Sequence, residues 1–429
     1  MTSTRDFPLP FARPQEVGFS TERLARIGPG LRKYIDEQKV PNLVTLVARH
    51  GKVVHYEAQG YMDMEARRPV GKDTIFRLYS NTKPITGVAI MMLYEDGKLG
   101  LDDPISKWVP SFKDPRVRVF DPPEGMEANA SAAGGVLTVP ARREVTVRDC
   151  LRHTTGLATP NRASLQYITV YRDVLKALGW YPGSERGPRS VKEHVENIGK
   201  LPLSFHPGTE WEYHVGYPVL GYVIEQVVGK PLEEFYQERI FKPLGMKDTS
   251  FYIQDGGIAR FPACYVPRRA PEGWKTTLME RAEESEKVKG PKTFFGAGGD
   301  MGGVLSTVGD YARFGQMLLN GGELDGVRLL GRRTVEVMTS NHTRDLRIPL
   351  MGAGAGWGLG VGVRTGPGGP SVYRSIGAYG WGGAAGTNYF ADPREGIIAV
   401  IFTQVFMHRV MPGLLYVEDF ERFVYQALV

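Results

Sequence analysis

Ser80 and Lys83 stand three residues apart in Ser80-Asn81-Thr82-Lys83, where an extended segment runs into a strongly apolar helical stretch. Side chains at i and i+3 share one face of a helix, so this spacing sets an amine beside a hydroxyl. A serine hydroxyl is a weak nucleophile until a base takes its proton. A lysine buried on an apolar helix becomes such a base, because desolvation favours its neutral form. The helix start adds unpaired backbone N–H groups and the positive end of the dipole. Pro84 suits a first turn, whose N–H groups need no intrahelical partner. Alone the tetrapeptide is weak, since an N-cap serine followed by a surface lysine arises by chance in most long chains. Its weight comes from Ile85, Val88, Ile90, Met91, Met92 and Leu93, which leave no polar face for a stray lysine.

A proton taken from Ser80 must be passed on to a leaving group, which calls for a second titratable residue. Tyr213, in an aromatic cluster from Trp211 to Tyr217, is the candidate. With an ordinary pKa of ~10, it acts as a base only if a neighbouring ammonium stabilises the phenolate. Taken by itself Tyr213, like Trp211, is more readily a core aromatic. Trp381-Gly382-Gly383-Ala384 opens a strand near the C-terminus. Its two glycines let a substrate approach the backbone, and an edge N–H there can join the Ser80 N–H in holding an oxyanion. A bulge or tight bend would use the same glycines.

These segments are far apart in the chain, so a folded frame must gather them. The 429 residues are 42% hydrophobic and 23% charged, which excludes wholesale disorder and a fibrous role. Lys and Arg total 53 against 47 Asp and Glu, a surplus of +6 that no stretch concentrates, so nucleic-acid binding is not expected. Cys150 and Cys264 are too few for a disulfide framework or zinc cluster, and no His-Glu-x-x-His occurs, so neither metal nor cofactor is expected. Glycine is the outlier at 53 residues, about 12% against a usual ~7%. Met1 to Phe7 lack the apolar run of a secretion signal, and the longest apolar runs fall short of the ~20 residues that span a bilayer. The expectation is a cytoplasmic protein without membrane contact.

The periodicity predicts a helix through Leu24, Ile27, Leu31, Tyr34 and Ile35, broken at Gly28-Pro29-Gly30. A hairpin follows over 43–49 and 53–57, then a buried helix over 81–95 that stops at Asp96-Gly97. Residues 121–143 read as a surface loop, 217–228 as a helix ended by Gly229, and 279–289 as a solvated helix or loop. A helix over 306–319 takes Ser306 as its N-cap. Strands are expected at 372–376, 384–390 and 397–404, then an amphipathic helix carrying Leu414, Val417, Phe420, Phe423, Val424 and Leu428. Strands at both ends with helices between predict an α+β fold: one antiparallel sheet flanked by helices, its ends pairing around a mainly helical insertion. The segments 121–143 and 262–295 are expected to shape the pocket.

The three chemical segments, in this order, resemble the serine β-lactamase and penicillin-binding-protein superfamily. Within it the class C β-lactamase-like branch and the family VIII carboxylesterases are most similar. Asp149-Cys150-Leu151-Arg152-His153-Thr154-Thr155-Gly156-Leu157 looks like that branch's D-L-L-x-H-T-S-G-L signature. Phe205-His206-Pro207-Gly208, Phe241-Lys242-Pro243-Leu244-Gly245-Met246, and Gly298-Gly299-Asp300-Met301 leading to Ser306-Thr307-Val308-Gly309-Asp310 also match. The resemblance, from about Gly18 to the end, implies a β-lactamase/transpeptidase-like fold. Residues 1–80 and 346–429 would form a discontinuous α/β domain, 81–345 an inserted mainly helical domain, with the active site at their interface. It also implies Ser80 as the acylated nucleophile, Lys83 and Tyr213 as the proton-transfer pair, and the backbone N–H groups of Ser80 and Ala384 as the oxyanion hole. Which of Lys83 and Tyr213 is the base stays open. His153 would be structural and away from the nucleophile.

Departures from the lactamase pattern bear on substrate. Val215 stands at the asparagine of Tyr-x-Asn, and Trp381-Gly382-Gly383 replaces Lys-Thr-Gly. The amide and ammonium that would grip a β-lactam are gone, and Trp-Gly-Gly is the form the esterases show. Trp381, Gly382, Gly383 and Val215 are the expected substrate-binding residues. No Gly-x-Ser-x-Gly occurs, which argues against an α/β-hydrolase. The expectation is a serine carboxylesterase whose partner is a small-molecule ester, short-chain or small aromatic, with β-lactam hydrolysis at most a side activity. The alternatives are a class C-like β-lactamase or D-amino-acid peptidase, an acyltransferase, or a penicillin-recognition module that acylates without turnover.

Overall fold

Strands that are apolar at nearly every position need cover on both faces. The computed structural model describes residues 9–119, 129–130, 137–157, 190–213, 215–254, 256–271, 273–288 and 303–429. In chain order the strands of its main sheet are Asn42–Arg49 (β1), Lys52–Asp63 (β2), Arg68–Pro69 (β3), Ala355–Trp357 (β4), Gly362–Arg364 (β5), Tyr379–Gly382 (β6), Asn388–Asp392 (β7) and Ile397–Phe402 (β8). They lie in the order β4-β5-β6-β7-β8-β1-β2-β3, each neighbour antiparallel. The expected pairing of the chain's ends is therefore present: β1 runs against β8, with Val44 opposite Phe402 and Arg49 opposite Ile397.

Successive side chains of a strand point to opposite faces, and here the two faces have different cores. Val44, Leu46 and Ala48 of β1, with Ile398, Val400 and Phe402 of β8, join one large apolar cluster. Leu43 and Val47, with Ile397, Ala399 and Ile401, join a second. The helices sort accordingly: Ile27–Asp36 (α1), Lys83–Glu95 (α2), Val147–Arg152 (α3), Gly216–Val228 (α4), Val308–Leu319 (α5) and Tyr416–Tyr425 (α6). Helices α1 and α6 cover the second face, while α2, α4 and α5 belong to the larger cluster. Every residue of α2 from Lys83 to Leu93 is buried, as its all-round apolarity requires. The β1–β2 hairpin turns at His50-Gly51, and Gly229 ends α4 in a left-handed conformation, both as the sequence indicates.

Several boundaries differ from expectation. Gly28-Pro29-Gly30 does not break α1. The helix starts at Ile27, so Pro29 falls in the first turn, and the interruption lies earlier, after the short helix Thr21–Leu24. Residues 372–376 are not a strand: Val372, Tyr373 and Ile376 are exposed, and the Ser375 N–H is held instead by the Asp392 carboxylate. The strand is β6, and its partner β7 starts at Asn388 because residues 383–386 form a turn. Thr307, not Ser306, caps α5 by accepting the Asp310 N–H, while Ser306 pairs with Phe76 in a short strand. Within 121–143, Leu137–Pro140 is a strand against Arg116–Arg118 and no surface loop; 121–128 and 131–136 lie outside the described residues. Within 279–289, Met279 and Glu280 end the second strand of the hairpin Cys264–Ala270 with Gly273–Glu280, and Ala282 and Ser285 are buried; 289 lies outside the described residues. Among the described residues, no helix is long and apolar enough to cross a membrane.

Candidate active site

The segment entering the site is pinned before it turns. Phe76–Arg77 pairs with Leu305–Ser306, and the Leu78 N–H donates to the Val304 carbonyl at 3.0 Å. The chain then makes a 3-10 turn, Tyr79–Thr82, and passes into α2 at Lys83. Side chains at i and i+3 eclipse in a 3-10 turn, a stricter alignment than an α-helix gives. Lys83 Nζ lies 3.1 Å from Ser80 Oγ, within hydrogen-bond distance. Tyr79, immediately before the serine, has φ +47°, an unusual backbone for an aromatic residue and one that bends the chain sharply.

Tyr213 and Trp381 complete a hydrogen-bonded row. The Tyr213 hydroxyl bonds to the Ser80 side chain, and the Trp381 indole N–H donates to Tyr213 Oη at 2.8 Å. The Lys83 side chain is fully buried, its Nζ 4.7 Å from the Tyr213 ring centroid and 5.1 Å from that of Tyr217. Burial lowers the Lys83 pKa to about 7. Burial raises that of Tyr213, against the smaller opposing pull of its bonds to Ser80 and Trp381. Near neutrality the row thus contains a phenol and an amine on the edge of losing its charge.

Gly383 brings the strand end to the serine. A Cβ there would stand 2.1 Å from the Leu78 carbonyl oxygen, so only glycine permits this approach. Thr387 locks it: its Oγ1 donates to the Leu78 carbonyl at 3.2 Å, and its carbonyl accepts the Gly383 N–H at 2.7 Å. The Gly383 carbonyl accepts the Gly386 N–H at 3.0 Å. The C=O and N–H of a trans peptide point in opposite directions, so that bond aims the Ala384 N–H away from the turn. Among the described residues, neither the Ser80 nor the Ala384 N–H has an acceptor. Two such donors beside a serine are what a tetrahedral oxyanion requires.

The structure thus gathers Ser80, Lys83, Tyr213, Trp381, Gly382, Gly383 and Ala384. Val215 it places differently: the residue precedes α4 and is 2% exposed, packed in the main core. His153 is also not remote. It ends α3 with φ +61°, and its ring centroid lies 4.6 Å from Tyr213 and 4.8 Å from Trp357. The Asp149–Leu157 motif builds the wall behind Tyr213. Buried Asp149 binds Arg143, Arg152, Thr146 and Thr154, while Tyr217 Oη and the Trp357 indole both donate to the Leu151 carbonyl, at 2.9 and 3.0 Å. Trp357 packs edge-on to Trp381 at 4.4 Å. Sequence reasoning missed Trp357 and Tyr217; an aromatic residue inside the glycine-rich stretch 352–369 was the one available signal for the former. Gly298-Gly299-Asp300-Met301 lies outside the described residues. Among the described residues, no group of three or more His, Cys, Asp or Glu is placed to hold a metal ion.

Over 399 residues the chain is 32% identical to Protein Rv1367c of Mycobacterium tuberculosis, spanning 87% of this chain and 88% of that one. Esterase EstB of Burkholderia gladioli is 28% identical over 391 residues, spanning 88% and 90%. Among solved structures, EstCE1, described as a hydrolase with promiscuous acyltransferase activity, superposes with a TM-score of 0.72 at 27% identity, covering 94% of this chain and 99% of that one. The family model described as Beta-lactamase matches residues 30–410, nearly the whole molecule and every residue of the row, so the chain belongs to the Beta-lactamase family, with a β-lactamase/transpeptidase-like fold.

Proposed function

We propose that this protein is a serine carboxylic-ester hydrolase acting on short-chain or small aromatic esters through an acyl-enzyme on Ser80. The observation that carries the reading is the row Lys83–Ser80–Tyr213–Trp381, with an uncharged indole N–H where the lactamase pattern has an ammonium. An indole offers no charge to bind a β-lactam carboxylate and costs less to cover with an uncharged acyl or alcohol group. The likeness to EstB and EstCE1 supports the same class of reaction.

In this reading neutral Lys83 accepts the Ser80 proton as Oγ adds to the ester carbonyl, forming the C–O bond. The carbonyl oxygen gains the negative charge and sits between the Ser80 and Ala384 N–H groups. The bond to the alcohol oxygen then breaks, and that oxygen takes a proton from the Lys83–Tyr213 pair. Water, deprotonated by the same pair, attacks the acyl group and releases the acid and Ser80. An alcohol in place of water gives acyl transfer, a second reading favoured by the likeness to EstCE1.

The test is a kinetic panel of p-nitrophenyl esters from acetate to laurate alongside nitrocefin, on wild type and Ser80→Ala. Ester turnover above nitrocefin turnover, falling with chain length and lost by about 10³-fold or more in Ser80→Ala, is expected. Ser80→Ala with wild-type esterase activity sinks the proposal, and a dominant nitrocefin rate returns the protein to the lactamases.

A further inference from the structure

Both amides of the proposed oxyanion hole are braced by one short segment. Beyond β8 the chain continues through Gln404 into Val405-Phe406-Met407. The Phe406 ring lies 5.4 Å from the Tyr79 ring, centroid to centroid, with the planes inclined by 44°. Tyr79 is the left-handed residue before Ser80, and its torsions set the peptide plane that carries the Ser80 N–H. The neighbours of Phe406 hold the other donor. Met407 donates its N–H to the Ala384 carbonyl at 2.7 Å, and Val405 to the Ala385 carbonyl at 2.8 Å. The segment is anchored from outside as well: the Phe406 N–H donates to the Tyr265 carbonyl at 2.7 Å, and the Tyr265 N–H to the Gln404 carbonyl at 3.0 Å. The hairpin Cys264–Ala270 with Gly273–Glu280 thereby bears on the segment that braces the oxyanion hole.

We propose that Phe406 is a positioning residue for the oxyanion hole, holding Tyr79 in its left-handed conformation so that the Ser80 and Ala384 N–H groups converge. This rests on the reading of Ser80 as the acylated nucleophile. Loss of the ring leaves the substrate's binding groups in place but lets the Ser80 peptide plane rotate, which weakens the transition state more than the ground state.

The experiment compares Phe406→Ala, Phe406→Leu and Phe406→Tyr with wild type in the full-length protein. It reads kcat and KM for p-nitrophenyl butyrate, and the affinity of an alkylboronic acid, whose tetrahedral adduct places an oxygen between the two N–H groups. Labelling by a fluorophosphonate, located by mass spectrometry, reports separately on Ser80. The expected result is a kcat lower by about 10- to 100-fold in Phe406→Ala, KM within about threefold, and boronate affinity lower by a similar factor. Phe406→Leu, which keeps apolar bulk if the alanine variant fails to fold, shows a smaller loss of the same kind, and Phe406→Tyr restores activity. Unchanged boronate affinity, or a loss expressed in KM alone, overturns the inference while leaving the Ser80 reading intact. Wild type that hydrolyses the ester without labelling at Ser80 overturns both.

Discussion

Lys83 is an amine inside an apolar helix, and its burial links two measurable quantities. A general base must be neutral to accept the Ser80 proton, and burial brings that state within reach by lowering the pKa to about 7. Ester kcat/KM is therefore expected to rise with pH through about 7, with Tyr213 still protonated above it; a flat profile from pH 6 to 8 contradicts this role. The same burial strains the fold. The folded-state pKa lies below the ordinary lysine value of 10.5, so between the two pH values unfolding takes up a proton, and stability rises with pH across that window. Below about pH 7 the buried charge counts fully against the native state. Lys83→Met is expected to lose activity by about 10³-fold or more, as for a member of a catalytic unit. Its urea midpoint should exceed that of wild type most at pH 6 and least at pH 9. A variant less stable than wild type at pH 6 would show that Lys83 contributes packing which methionine cannot replace.

At the scale of elements, α2 is positioned by a close approach as much as by its apolar surface. A Cβ on Gly87 would stand 2.6 Å from the Leu359 carbonyl oxygen and 3.3 Å from Gly360 Cα. Alanine would improve helix propensity by roughly 1 kcal/mol, but overpacking against a fixed backbone costs about 1–3 kcal/mol. Gly87→Ala should thus lower the urea midpoint and, because Lys83 is one turn away on the same face, lower kcat as well. An unchanged midpoint would mean the 358–360 turn yields freely. The helix itself was legible, since its apolar run and its Asp96-Gly97 end are local signals, and so was the β1–β2 hairpin. What was not legible is contact across the chain. Nothing in the periodicity of Trp357 or Tyr217 announces that both donate to the Leu151 carbonyl, which is what draws His153 up to Tyr213. Strand β6 was misplaced for a related reason: Gly380 and Gly382 carry no strand propensity, whereas the exposed Val372 and Ile376 do.

Across the whole molecule, the sheet separates chemistry from anchorage. Helix α2, which the turn carrying Ser80 leads into, belongs with the larger apolar cluster on one face, while α1 and α6 close the other, where the Ser20 N–H donates to the Ala427 carbonyl. That far face has its own polar tie. Buried Asp392 accepts the Tyr425 hydroxyl at 2.6 Å and the backbone N–H groups of Ser375, Arg394 and Glu395 at 2.9, 3.1 and 3.3 Å. Tyr425→Phe removes one bond to a buried carboxylate and leaves the ring stacked on Phe390. The expected cost is about 1.5–3 kcal/mol in urea unfolding, the usual range for a hydrogen bond to a charged group. Because that bond lies on the face of the sheet opposite the cluster that holds α2, kcat/KM well below the unfolding transition should stay within about twofold of wild type. A proportional fall in kcat would mean that strain crosses the sheet through β7 into the turn at 383–386, making the terminal helix part of the catalytic apparatus rather than its anchor.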